Sequence, residues 1–258
     1  MKTSVDERAV VDPGAQLGDG VTVGPFAVVG PGVTVGRGSR IESSALIERD
    51  TTIGDGCTVG HGAVLGTDPQ DLKYRGERTF LTVGAGTSIR EYATVHRATG
   101  EGSATLVGAN VLVMAYAHIA HNCVIGDSVV IANSVNLGGH VVIEEHAIVG
   151  GMTPVHQFVQ IGAYSFVGGL SRVSKDVPPY FKVAGVPMRP VDVNTIGLQR
   201  HGFSAEARAR IRRVYRLLYL SGLNTSQAVA RIREELPPAP EVERILGFIA
   251  RSSRGIVK

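Results

Sequence analysis

An aliphatic residue recurs every six positions, and no other feature of this 258-residue chain narrows its fold as much. The series starts at Val11 and runs through Leu17, Val23, Val29 and Val35 to Leu65, then returns in the same phase at Val83, Ile89 and Val95. It continues unbroken from Val107 through Ile119, Ile125 and Leu137 to Val173. Four positions after each aliphatic stands a small residue, as at Ala15, Ala27, Ala45, Cys57, Ala117 and Cys123. A helix would space its apolar residues by three and four, whereas here the small residue and the next aliphatic are two apart, on one face of a strand. Each hexad is therefore a short strand and a turn. Such a strand cannot bury its inner face alone, so successive hexads must stack as a solenoid. The spacing predicts a mainly β fold, a parallel β-helix, and leaves open both its handedness and the number of strands per coil.

These hexads resemble the hexapeptide repeats of the left-handed β-helix, which implies three hexads per triangular coil. On that footing His121, Gly139 and Gln157 stack in one column, and Asn122, His140 and Phe158 in the next. Neighbouring rungs of a sheet lie about 4.8 Å apart, so a ring nitrogen on one coil and a backbone N–H on the next can face one small volume. A base and an oxyanion donor for acyl transfer need that arrangement. None of the eight histidines falls on an inward position of the hexad, so those in the repeat are expected outside or in turns. Cys57 and Cys123 fall on the small inward position and are expected to be buried packing residues. The pair His118 and His121 has a ligand-like spacing, but its phase puts one residue on a strand and the other in a turn. No metal is expected within one chain, and bridging between subunits is the remaining zinc reading.

Two stretches break the period, at 67–80 and 99–105, and both read as loops leaving the solenoid, where function tends to concentrate. The expected division is a solenoid over 1–191 and a C-terminal α-helical domain over 192–258 covering its open end. Ser204 is positioned to cap one helix, Thr225 or Ser226 to start a second, and Pro240 to open a third. The tail carries 12 Lys plus Arg against 6 acids, while the rest of the chain is net negative. A basic helical surface suits an acidic protein or a phosphate. Without aromatics interleaved for base stacking, nucleic acid is not the expected partner. No apolar run nears the roughly 20 residues that span a bilayer, and the first residues lack the apolar centre of a signal peptide, so a cytoplasmic location without membrane insertion is expected.

The segments TDPQDLKYRGE, IREYATVHRAT, AYAHIAHNCVIGD, NLGGHVVI, IVGGMTPVHQF and DVPPYFKVAG together closely resemble the UDP-N-acetylglucosamine O-acyltransferases that open lipid A synthesis. The resemblance implies a homotrimer of left-handed β-helices, with UDP-N-acetylglucosamine and a 3-hydroxyacyl group on acyl carrier protein as substrates, and no cofactor. It implies His121 as general base and the Gly139 N–H as oxyanion donor, the pair already singled out by stacking. Asp71, Lys73, His96, His118, His140, His156 and Gln157 match residues that bind the sugar nucleotide or shape the acyl cleft. Asn194 and Arg200 match nucleotide contacts, and Gly169 matches a stop on acyl length, where a missing side chain implies room for a longer chain. Asn122 stands where an aspartate often follows the histidine, so carboxylate help for that ring is expected to be lost. Ile196 and His201 stand where members can carry a glutamate and an arginine. The alternative from another enzyme class is a γ-class carbonic anhydrase on the same solenoid, with zinc held by histidines of adjacent subunits; the alternative outside enzymes is a purely structural solenoid.

Overall fold

A computed structural model describes residues 2–258. Nearly every hexad becomes a strand of two to four residues, and the strands stack in three sheets of eleven, eight and eight, parallel throughout except for the last strand of the first. Each strand pairs with the one three hexads on, as His118 with Asn136 in the second sheet and Val124 with Val142 in the third. One coil therefore contributes one strand to each face of a triangular prism. Where the loops leave, Val64 pairs with Thr94 and Phe80 with Ala104, so the insertions amount to whole hexads. The aliphatic phase survives both for that reason.

The prism's interior is the aliphatic series itself. Ile119, Ile125 and Ile131 from successive faces are at most 2% exposed, and Cys57 and Cys123 fill small inward positions beside them. Burying one such aliphatic contributes about 1.5–3 kcal/mol, repeated three times per coil. From Gly20 to Leu170 the chain turns its corners with residues in the left-handed region. Early corners mostly use glycine, as at Gly32, Gly38 and Gly56, but eleven successive corners from Asn110 to Leu170 hold non-glycine residues at φ between 55° and 64°. That conformation costs an L-residue about 1–2 kcal/mol, so side chains placed there carry something the backbone alone does not need.

Beyond the last hexads the first sheet continues into Phe181–Ala184, which pairs antiparallel with Arg189–Val193. The turn to helix therefore comes later than the periodicity suggests, since Asp192 lies in this strand. Four helices follow: α1 (Thr195–Arg200), α2 (Ala205–Tyr219), α3 (Thr225–Glu235) and α4 (Pro240–Arg251). Ser204 caps α2, Thr225 starts α3 and Pro240 opens α4, as expected, and Asn224 just before α3 caps it, forming a reciprocal capping box with Gln227. The helices bury Leu198, Ile211, Val214, Ile232, Ile245 and Phe248 against Phe181 of the hairpin. Arg244 on α4 pairs with Glu145 at 2.6 Å, and the Ser252 hydroxyl donates to buried Asp176 at 2.6 Å. Among the described residues no helix is long and apolar enough to cross a membrane.

Candidate active site

The corner between the second-sheet strand His118–Ile119 and the third-sheet strand Val124–Ile125 carries His121. One coil on, its column holds Gly139. A Cβ at Gly139 would lie 2.5 Å from the His121 Cε1 and 2.6 Å from its Nε2, so the imidazole occupies the space any larger residue would fill. Close approach, not a left-handed backbone, demands glycine here. The neighbouring N–H groups of Gly138 and His140 are taken by Val155 and His121 carbonyls, whereas that of Gly139 makes no hydrogen bond. A ring nitrogen and an open N–H thus share one small volume. His140, at a left-handed corner, meets the His121 ring edge-on at 5.3 Å between centroids and stacks on Phe158 at 4.6 Å.

Hydrogen bonds decide which nitrogen of His121 carries the hydrogen. The Asn122 Nδ2 donates to the Thr99 carbonyl at 3.1 Å, and its Oδ1 accepts the Thr99 N–H at 3.0 Å. That pairing fixes which end of the amide is oxygen, and the same Oδ1 lies 2.9 Å from His121 Nδ1. Nδ1 must therefore carry the hydrogen, leaving Nε2 with its lone pair free. The expected loss of help at this position is half corrected: the carboxylate's charge is absent, but its orienting role passes to an amide held by the 99–105 loop.

The 67–80 loop reaches the same corner. Asp71 accepts the Lys73 N–H at 3.0 Å, which chiefly holds its carboxyl below the usual range, with His121 contributing. His121, Asp71 and Lys73 all act on His140, whose ring burial keeps below its ordinary value. The loop is anchored by Arg97, 1% exposed, whose guanidinium pairs with Asp68, lies 3.4 Å from the Tyr74 hydroxyl and 3.7 Å from Asp50. Sequence reasoning did not single out Arg97. The signal was there: the pairing of Thr94 with His118 puts Arg97 one coil before His121, but that register appears only once the length of the 99–105 insertion is known.

His96 qualifies another expectation. Its position is outward from the prism, as expected, yet it is only 7% exposed and meets the backbone of Asp68 in the 67–80 loop. His96 and His118 meet edge-on at 5.0 Å, and the Thr94 hydroxyl is 2.7 Å from His118 Nδ1. Burial lowers both rings, His118 to about 4, so His118 stands neutral near pH 7. His156 and Gln157 are exposed further along the column, with His156 Nδ1 3.0 Å from the Gln157 carbonyl. Gly169 lies at the corner after the first sheet, beyond the second-sheet face from His121, where an added Cβ would meet the Gly151 carbonyl at 3.2 Å.

Asn194 and Arg200 do not join this group within one chain. Asn194 caps α1 and donates to the Tyr164 carbonyl at 2.8 Å, which places the helix at the third corner, between the third and first sheets. Arg200 is exposed there and pairs with no described residue. A groove of about 670 Å³ between α2 and α3 contains Arg213, Arg216 and Arg231 but none of the expected site residues. Among the described residues no three His, Cys, Asp or Glu side chains form a cluster able to hold a metal ion.

Known proteins align with this architecture in both its parts. The family model for UDP N-acetylglucosamine O-acyltransferase, domain 2, matches residues 176–257, and the bacterial transferase hexapeptide model matches 14–49, 32–67 and 104–139. The acyl-(acyl-carrier-protein):UDP-N-acetylglucosamine O-acyltransferase of Ectopseudomonas mendocina is 44% identical over 257 residues, covering 99% of this chain and all of that protein. The same enzyme of Gloeothece citriformis is 44% identical over 190 residues, 74% of this chain and 68% of the relative. The crystal structure of a UDP-N-acetylglucosamine acyltransferase from Bacteroides fragilis superposes with a TM-score of 0.96 at 38% identity, covering 98% of this chain and 99% of the other. These relatives lend no support to the zinc-enzyme alternative. With prism, loops and tail all matched end to end, this chain belongs to the UDP-N-acetylglucosamine O-acyltransferase family.

Proposed function

We propose that the chain transfers a 3-hydroxyacyl group from acyl carrier protein to the 3-hydroxyl of UDP-N-acetylglucosamine, the opening step of lipid A synthesis. The single observation that carries this reading is the His121 ring lying over Gly139, with Nε2 free and the Gly139 N–H open beside it. Nε2 takes the proton of the sugar hydroxyl as its oxygen bonds to the thioester carbonyl carbon. The carbonyl oxygen gathers negative charge and is held by the Gly139 N–H. Collapse breaks the carbon–sulfur bond, and the imidazolium returns its proton to the departing thiolate. Asp71 and Lys73 from the loop, with His96, His118, His140, His156 and Gln157, hold the sugar nucleotide and shape the acyl path. Gly169, lacking a side chain, leaves that path long.

The assembly proposed is a homotrimer. Its support is the separation of Asn194 and Arg200 from the His121 corner, since a symmetric ring of copies can set the α1 helix of one against the histidine corner of the next. Arg200's unpaired guanidinium suits a nucleotide phosphate. The basic tail receives the acidic carrier protein, and carrier affinity should weaken as salt rises through the range where the Debye length shrinks from about 10 to 3 Å. The reaction belongs to the cytoplasm, where both substrates are soluble.

Replacing His121 by Ala should lower turnover by ~10²–10⁴ while leaving the elution volume of the assembly unchanged. Turnover is read by mass analysis of the acylated sugar nucleotide. A variant with near-full turnover would remove His121 as the base.

A further inference from the structure

The two loops are laced to each other before either reaches His121. Gly102 N–H donates to the Arg78 carbonyl at 2.9 Å, Arg78 N–H to Glu101 at 3.2 Å, and Phe80 N–H to the Ser103 carbonyl at 2.9 Å. The most consequential link is Glu77. One carboxylate oxygen accepts the Gly100 N–H at 2.9 Å and the other the Arg75 N–H at 2.8 Å. These two bonds hold the Glu77 carboxyl below the usual range, the Gly100 bond contributing most.

Gly100 N–H and the Thr99 carbonyl belong to one planar peptide unit. Glu77 grips its N–H end, and Asn122 Nδ2 donates to its carbonyl end. The loop around it, Thr99-Gly100-Glu101-Gly102-Ser103, has glycines at φ 95° and 72° and so little resistance of its own to rotation of that plane. If the plane turns, Asn122 loses the acceptor of its Nδ2 and keeps only the Thr99 N–H, on the preceding peptide, to tell its oxygen from its nitrogen. An amide held at one end only reverses more often, and reversal puts Nδ2–H against His121 Nδ1, which drives the ring's hydrogen to Nε2 and removes the lone pair a base needs.

We propose that Glu77 is a positioning residue for His121, acting through the Thr99–Gly100 peptide and Asn122 to select the ring tautomer. The inference rests on His121 being the general base, but its link to the ring can be read without catalysis. The expected effect of Glu77→Ala is a loss of ~10–10²-fold in kcat, within the cost of a small misplacement at the reacting centre, with KM for the sugar nucleotide within about twofold of the parent. Glu77→Gln, which keeps an acceptor for Gly100, should recover most of that loss. In the ¹⁵N spectrum of the imidazole of residue 121, assigned by its disappearance in His121→Ala, the parent should show hydrogen on Nδ1 and Glu77→Ala a mixture of tautomers. On an Asn122→Ala background, Glu77→Ala should cost less than about twofold more, because residues acting in series do not add. An unchanged ¹⁵N pattern in Glu77→Ala, a KM rise carrying the whole effect, or losses that multiply across the double variant would each overturn the proposal. Should His121→Ala retain turnover, the base assignment fails on its own, while the ¹⁵N pattern still decides whether Glu77 governs the ring.

Discussion

His140 and His146 occupy equivalent corners of the prism and fare differently. Both lie in the left-handed region, at φ 60° and 58°, and each stacks on an aromatic one coil further on, His140 on Phe158 at 4.6 Å and His146 on Tyr164 at 4.8 Å. The backbone that presents them is the same. At the first corner the two inserted loops bring Asp71 and Thr99, and His121 is tied through the corner residue Asn122 into a directional hydrogen-bond chain. At the second the tail brings His201 to 4.5 Å and Phe203 against Tyr164, and neither His146 nor His201 has a ring hydrogen bond among the described residues. The repeat thus offers similar rings at many corners, and the non-repeating segments decide which of them does chemistry.

The hardest test of that contrast places a methyl group under His121. Gly139→Ala should lower kcat by ~10² or more, because a Cβ 2.5 Å from the ring forces it off its station and misplacement at a reacting centre is costly. His146→Ala, at the sister corner, should leave kcat within about twofold, since no reacting group is displaced. Steady-state turnover of the two variants side by side, with circular dichroism to confirm the prism, checks the pair. A smaller effect is expected from the tail's side of the contrast: Arg200→Ala should raise KM for the sugar nucleotide by ~10-fold with kcat little changed, as loss of a phosphate-binding fork removes binding common to ground and transition states. A fall in kcat with KM unchanged would place Arg200 elsewhere in the reaction.

The smallest effect concerns acid. The folded value of His118, about 4, lies below the usual 6.5, so between those values the unfolded chain binds the proton first. Stability from this ring is therefore complete above pH 6.5 and is lost as pH falls toward 4. His201 is lowered in the same sense, by burial and then by His146, but is far more exposed. His118→Asn should flatten the drop in urea midpoint between pH 7 and pH 4.5, and His201→Asn should flatten it less.

The prism was legible because its signal repeats. Each hexad states the same inner face, and insertions of whole hexads kept that statement in phase across both loops. The stacking of His121 over Gly139 needed one thing more, the three hexads per coil that the resemblance to left-handed β-helices implied. What the repeat could not state was contact made by segments outside it. His96 sits outward by phase and is buried by a loop whose fold depends on Arg97 and Asp68, partners 29 residues apart. The Asn122 amide looked like a loss until Thr99 supplied both its partners. The hairpin at Phe181–Ala184 and Arg189–Val193 lacks any hexad, and the expected boundary at 192 cuts through its second strand. At α3, three adjacent residues could cap, and Asn224 prevails because it alone stands three before Gln227, completing the reciprocal box.

Because the imidazole at 121 fills the place of a side chain at 139, the two positions constrain each other: the ring keeps its station only over glycine. With the ring gone, alanine or serine fits beneath it, and histidine then regains its station only after glycine is restored. The two positions therefore have to be exchanged as a pair, and a graft of this corner onto another prism must carry both.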